Sequence, residues 1–155
     1  MKLAEALAVR ADAARRVEQL RTRIVANARF QEGEEPTEDA AALLAEASAV
    51  LDELENLIRR INSTNAATRI GSDGTITDAL ARRDVLRVRH SVVTTAADAA
   101  AGRGQGMGRQ LRSELKMLTA LPVAQLRSQA DDLARQIREL DVRIQQSNWN
   151  FDLLE

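Results

Sequence analysis

The last long segment of the chain places apolar residues at Leu126, Ala130, Leu133, Ile137, Leu140 and Ile144, in steps of four, three, four, three and four. That alternation holds one stripe on one side of an α-helix, and it is the spacing that seats one helix against another. Pro122 suits the first turn of such a helix, and the pattern predicts helix over residues 122–148. A stripe this regular needs a second apolar surface to cover it. The rest of the chain, or a second copy of it, must supply that surface.

Two earlier segments carry similar stripes. Over residues 2–30 the stripe is Ala6, Val9, Ala13, Val17, Leu20, Ile24 and Ala28, widened by Leu3, Leu7 and Val25. Gly33, Pro36 and a run of acids then interrupt it. Thr37 is the expected N-cap of a second helix over residues 38–68, with Glu38 and Asp39 favoured at the positive end of its dipole. The second stripe is Leu43, Ala47, Val50, Leu54, Leu57 and Ile61, broadened by Leu44, Leu51 and Ile58. It turns polar at Asn65 and Thr68.

Residues 69–77 read as a small β-hairpin, because Asp73-Gly74 between Ile70 and Ile76 supplies positive φ at little cost. Thr77 is the expected cap of a third helix over residues 78–101, closed by Gly102, Gly104, Gly106 and Gly108. Leu111, Ser113, Leu115 and Met117 alternate with Arg112, Glu114 and Lys116, which is the period of a short strand over residues 111–117. A helical turn through Leu111, Leu115 and Leu118 is the competing reading. The expected fold is mainly α: one domain over residues 1–155, an elongated antiparallel bundle of four long helices with coiled-coil-like packing and a β-hairpin excursion.

Chain length and side-chain size bear on assembly. The 155 residues are 45% hydrophobic but only 2% aromatic: Phe30, Trp149 and Phe151, with no Tyr. Small side chains bury little area each, at roughly 25 cal/mol per Å². A helix of about 30 residues spans ~45 Å, whereas a compact globule of this length has a radius of gyration of ~15 Å. Long helices with few large side chains leave apolar surface bare, so self-association into a homo-oligomer is expected.

Charge and cysteine content narrow the function classes. The net charge is -1, and the Arg residues are interleaved with Glu and Asp, which is not the footprint of a nucleic-acid binder. The chain has no Cys, and so no disulfide framework, thiolate chemistry or Cys-based metal site. Glu5 and the lack of an apolar opening run argue against a signal peptide, and no stretch approaches the ~18 apolar residues of a membrane span. A cytoplasmic protein is the default.

Candidate site residues come from placements that a purely structural role does not explain. Val85, Leu86, Val92, Val93, Ala96 and Ala97 form one broad face of the third helix, and Arg89 falls near its middle, one heptad after Arg82. A guanidinium there needs a carboxylate across the helices, such as Asp141, or a bound anion, or a path to solvent. His90 is the single histidine and shares the opposite face with Arg83 and Arg87, beside Asp84. One histidine supplies neither a metal set nor a general base with its partner, although a symmetric oligomer would gather several copies of it. Asn62, Asn65, Asn148 and Trp149 mark the polar helix ends, either as caps or as the walls of a small pocket. The glycine-rich stretch lacks the Lys-Ser/Thr of a phosphate loop and follows a helix C-terminus, where the dipole repels anions. No catalytic residue, metal site or cofactor is assigned. The residues leave open a non-enzymatic, self-associating interaction protein and a ligand- or anion-binding or enzymatic module built on Arg83, Asp84, Arg87, Arg89 and His90 with the Asn-rich helix ends; membrane disruption is the least favoured reading.

The run Ile61-Asn62-Ser63-Thr64-Asn65-Ala66-Ala67-Thr68-Arg69 and the run from Thr77 through Arg82-Arg83-Asp84-Val85 to Ser91 carry a resemblance. With the opening Met1-Lys2-Leu3-Ala4-Glu5-Ala6-Leu7 and the closing Asn148-Trp149, they resemble a bacterial family labelled septicolysin-like, whose members are small and mainly helical. The glycine-rich stretch departs from that family's pattern, where charged residues lead into the segment here spanning Ser113 to Lys116. The label implies a cytolysin. The residues do not supply one: there is no Cys, a single Trp, strands too short to cross a bilayer, and no basic aromatic-rich helix face.

Overall fold

The computed structural model describes residues 1–103 and 115–155. Four helices account for most of them: α1 (Leu3–Asn27), α2 (Ala40–Ala67), α3 (Ile76–Ala100) and α4 (Val123–Asn150). Gly104, Gly106, Gly108 and the first part of the expected 111–117 strand lie outside the described residues. The chain divides into two compact units. One comprises residues 1–77 with 145–155, the other residues 78–144.

In the first unit, α1 opens where the Lys2 backbone N–H donates to the Glu5 carboxylate at 2.8 Å, which satisfies one of the orphan donors of a helix start. At its other end Asn27 donates to the Arg23 carbonyl and accepts from the Glu38 N–H at 3.0 Å. Arg23 also pairs with the Glu38 carboxylate. Glu38 is thereby held against α1, and the cap of α2 falls to Asp39. Its carboxylate accepts from Ala41 at 2.9 Å and Ala42 at 3.2 Å. The expected cap, Thr37, lies two residues too early.

Arg16–Glu46 and Arg23–Glu38 show α1 and α2 running antiparallel. Between them Leu20, Leu43, Ala47 and Val50 are buried, with Ala13, Val17 and Ile24 packed against them. These are the positions of the two apolar stripes. Cover is uneven beyond that line: the widening residues Val25, Leu44 and Leu51 and the stripe residue Val9 are exposed, whereas Leu3, another widening residue, is fully buried. The covered strip is narrower than the apolar one.

The expected hairpin after α2 is not formed, and no strand occurs among the described residues. A 3-10 turn (Gly71–Asp73) sits inside a single bridge between Arg69 and Thr75. Ile70 N–H donates to Gly74 O at 2.8 Å and Ile76 N–H to Thr68 O at 2.9 Å. The physical reason is length. Helix claims the chain up to Ala67 and again from Ile76, which leaves too few residues for a ladder. The positive φ angles fall on Gly71 and Gly74, not on Asp73 as an Asp-Gly hairpin turn would require. Thr77, expected as a cap, lies inside α3.

The end of the chain returns to the first unit. Leu3 N–H donates to Phe151 O at 3.0 Å and Leu153 N–H to Met1 O at 2.9 Å. Lys2 pairs with Asp152 at 3.1 Å. Leu153 is buried beneath this clasp.

In the second unit, α3 buries Ala79, Leu86, Val93 and Ala97, while α4 buries Ala130, Leu133, Leu140 and Ile144. Leu126 and Ile137 are half-buried, so the 4-3-4-3-4 stripe is covered along its length. Arg87–Asp141 at one end and Arg127–Asp98 at the other join the two helices and set them antiparallel. Gly102, at φ 79°, ends α3: its N–H donates to Ala99 O, and the Arg103 N–H reaches back to Asp98 O at 2.8 Å, so two otherwise orphaned carbonyls are satisfied.

Candidate functional site

On α3 the residues 76, 79, 83, 86, 90, 93 and 97 follow steps of three and four, and this is the inward-facing line. Its apolar members are buried, and Arg83 and His90 are half-buried on it. The expectation that placed Arg89 in the middle of the covered face is therefore reversed: Arg89 is exposed. Asp141, considered as its partner, instead takes Arg87 at 3.0 Å and Arg83 at 3.5 Å. Arg83 also contacts Asp84 at 3.3 Å. Arg83, Asp84 and Arg87 are thus brought together with Asp141 as a two-plus, two-minus cluster that ties α3 to α4. His90 lies about two turns from Arg83, further along the same line.

The polar helix-end residues belong to the other unit. Asn148 is buried and Asn65 half-buried, while Asn62 and Trp149 face outward. The residue that sequence reasoning missed is Thr64, which is fully buried. Its hydroxyl donates to Arg60 O at 2.8 Å and accepts the Leu154 N–H at 3.0 Å. Arg60 Nε donates to Leu154 O at 2.9 Å, so one turn of α2 grips both polar groups of Leu154. The signal was present in the spacing: Leu57, Ile61, Thr64 continues the stripe by four and three, whereas Ile61, Asn65 leaves it. Beside this grip Asn56, Arg59, Arg60, Ser63 and Glu155 line a shallow depression of about 530 Å³.

The most extensive irregularity is apolar. Val85, Val88 and Val92 stand 58%, 63% and 62% exposed on the side of α3 turned away from its buried line. At 100° per residue, Ala96 and Ala99 continue that stripe. Both also wall a groove of about 480 Å³ whose other side is Met117, Leu118 and Leu121. Leu118 is 85% exposed, and Leu115 and Met117 are exposed as well. One face of the second unit thus presents a continuous aliphatic band. Single exposed apolar residues are ordinary on a protein surface, and a band of neighbouring ones is not.

Two ionisable groups held off their ordinary values, Arg23 and Glu38, lie outside these regions. The hydrogen bond between Arg23 and Glu38 lowers the Glu38 carboxyl and raises the Arg23 guanidinium. Among the described residues no group of three His, Asp or Glu side chains is placed to hold a metal ion, and no helix is long and apolar enough to cross a membrane.

Comparison with known proteins gives a family without an assigned role. Residues 10–153 match the profile of a family of unknown function (DUF6847). No curated protein matches the chain. The crystal structure of a functionally unknown conserved protein from Corynebacterium diphtheriae superposes with a TM-score of 0.88 at 36% identity, covering 99% of each chain. The resemblance to septicolysin-like proteins is overturned: neither the family profile nor the structural neighbour carries that label, and the central segments that suggested it lie within the 10–153 match.

Proposed function

We propose that this chain, which belongs to the DUF6847 family of unknown function, is a non-enzymatic helical protein that works by self-association. The carrying observation is the aliphatic band formed by Val85, Val88, Val92 and the groove walled by Met117, Leu118 and Leu121. Six exposed aliphatic side chains at on the order of 100 Å² each supply most of the ~800 Å² per partner of a stable protein interface. Water contact on that scale is costly, and a second copy of the same chain is present wherever the first one is.

The reading of Arg83, Asp84, Arg87, Arg89 and His90 as a ligand module draws less support. Asp141 and Asp84 already neutralise Arg83 and Arg87, and Arg89 stands away from them in solvent. A coiled-coil manner of contact and a cytoplasmic setting belong to the same proposal. The latter rests on a sequence without cysteine.

Sedimentation equilibrium across the micromolar range tests the proposal. The expected result is a concentration-dependent mass above that of one chain. A single-chain mass throughout that range would overturn it.

A further inference from the structure

The aliphatic stripe of α3 is flanked by opposite charges, one on each side. With Val85, Val88 and Val92 taken as successive a, d and a positions, Asp84 is the preceding g position and Arg89 the following e position. Asp84, touched on one side by Arg83, keeps a side chain 65% exposed, and Arg89 is exposed. The two are five residues apart. That is the separation at which, in a parallel pair of helices, a g residue meets the e residue of its neighbour.

We propose that two copies of the chain associate through α3 in parallel, about a two-fold axis, with Asp84 of each copy paired to Arg89 of the other. This rests on the self-association proposed above and adds its surface and its direction. The direction follows from charge. In an antiparallel pair, e faces e and g faces g, so Arg89 would meet Arg89, and Asp84 would meet Asp98, a g position already held by Arg127, so neither contact would join opposite free charges. In the parallel pair both contacts join opposite charges. In the same register the next d and a positions are Thr95 and Ala99, with Ala96 at the e position beside them, and these small side chains let the two helices approach closely at that end. There the groove wall of Met117, Leu118 and Leu121 extends the contact beyond the helices.

The absence of cysteine from the chain makes the test clean. Val85→Cys and Val92→Cys are made singly in the full chain and mildly oxidised with copper phenanthroline. In the parallel arrangement each residue faces its own copy across the axis, and both variants cross-link to covalent dimers. In an antiparallel arrangement the axis lies near one of them at most, because they are two turns of helix apart, about 10 Å, and a disulfide needs Cα atoms within about 7 Å.

Charge reversal gives a second readout. Asp84→Arg alone and Arg89→Asp alone each weaken association by about tenfold or more, and the double reversal returns it to the parent value. Cross-linking of one variant only, or single reversals without effect in a chain that still self-associates, would overturn the parallel pairing and leave the self-association standing. A parent chain that sediments as a monomer would overturn both.

Discussion

Val88 is the residue at which self-association can be tested with least disturbance to the fold. Its side chain is 63% exposed, so it supports little of the monomer, and Val88→Ser should change folding stability by no more than about 0.5 kcal/mol. Full burial of a valine is worth roughly 1.5 kcal/mol. The exposed share is then about 1 kcal/mol per copy, or about 2 kcal/mol for a symmetric pair. At 1.4 kcal/mol per factor of ten, the dissociation constant should rise by roughly 30-fold. Sedimentation equilibrium measures that constant, and urea unfolding measures the stability of the monomer. The contrasting variant is Leu86→Ala, two residues earlier and on the buried side of α3. It should lose about 2–4 kcal/mol of folding stability. A parent chain that associates, together with a Val88→Ser variant that associates equally well, would refute the assignment of the contact to this stripe.

Three further outcomes follow from the first unit. Leu20, 1% exposed between α1 and α2, should cost about 3 kcal/mol on truncation to Ala, read as a lower urea midpoint with unchanged slope. Thr64→Val keeps the shape but leaves the Leu154 N–H without its acceptor. A loss of about 1 kcal/mol is expected, with faster amide exchange at Leu153 and Leu154, and an unchanged exchange rate there would contradict the grip. The Glu38 carboxyl is held below its ordinary value by Arg23. A depressed carboxylate pKa means that the pair's contribution is present above the ordinary glutamate value and fades as pH falls through the lowered one. Glu38→Gln should therefore flatten the acid limb of stability against pH, while an identical limb in the variant would show that the pair contributes nothing.

The parts of the fold that could be read from the residues are those where apolar spacing was regular and unopposed. The α4 stripe from Leu126 to Ile144 and the α2 stripe from Leu43 to Ile61 are covered as their spacing implied. Both helices have one apolar side and one charged side, so only one orientation hides the apolar one. The hairpin failed for a different reason. Asp73-Gly74 carries real turn chemistry, but turn chemistry makes strands only where neighbouring residues are free to pair. Here α2 and α3 had already taken them.

The candidate site was legible in part. The sequence offers Asp141 as one possible partner of Arg89, and the structure gives it to Arg83 and Arg87. Thr64 is hard to see because Asn65, four residues after Ile61, continues the stripe as well by count, and that difference of one residue moves the line by 100°.

Residue order alone was enough to make this a chain of four helices, because 3.6-residue periodicity and the breaks at Gly33, Pro36 and Gly102 are local properties that each segment carries with it. It was not enough to choose a face for α3. That helix has two apolar sides: Ala79, Leu86, Val93 and Ala97 on one, Val85, Val88 and Val92 on the other. Their hydrophobicity is similar, and periodicity counts both alike. Packing chose the first, and by that choice put Arg83 beside Asp141, sent Arg89 to solvent and left three valines uncovered. Burial is a property of what lies opposite, and nothing opposite is written into a helix's own residues.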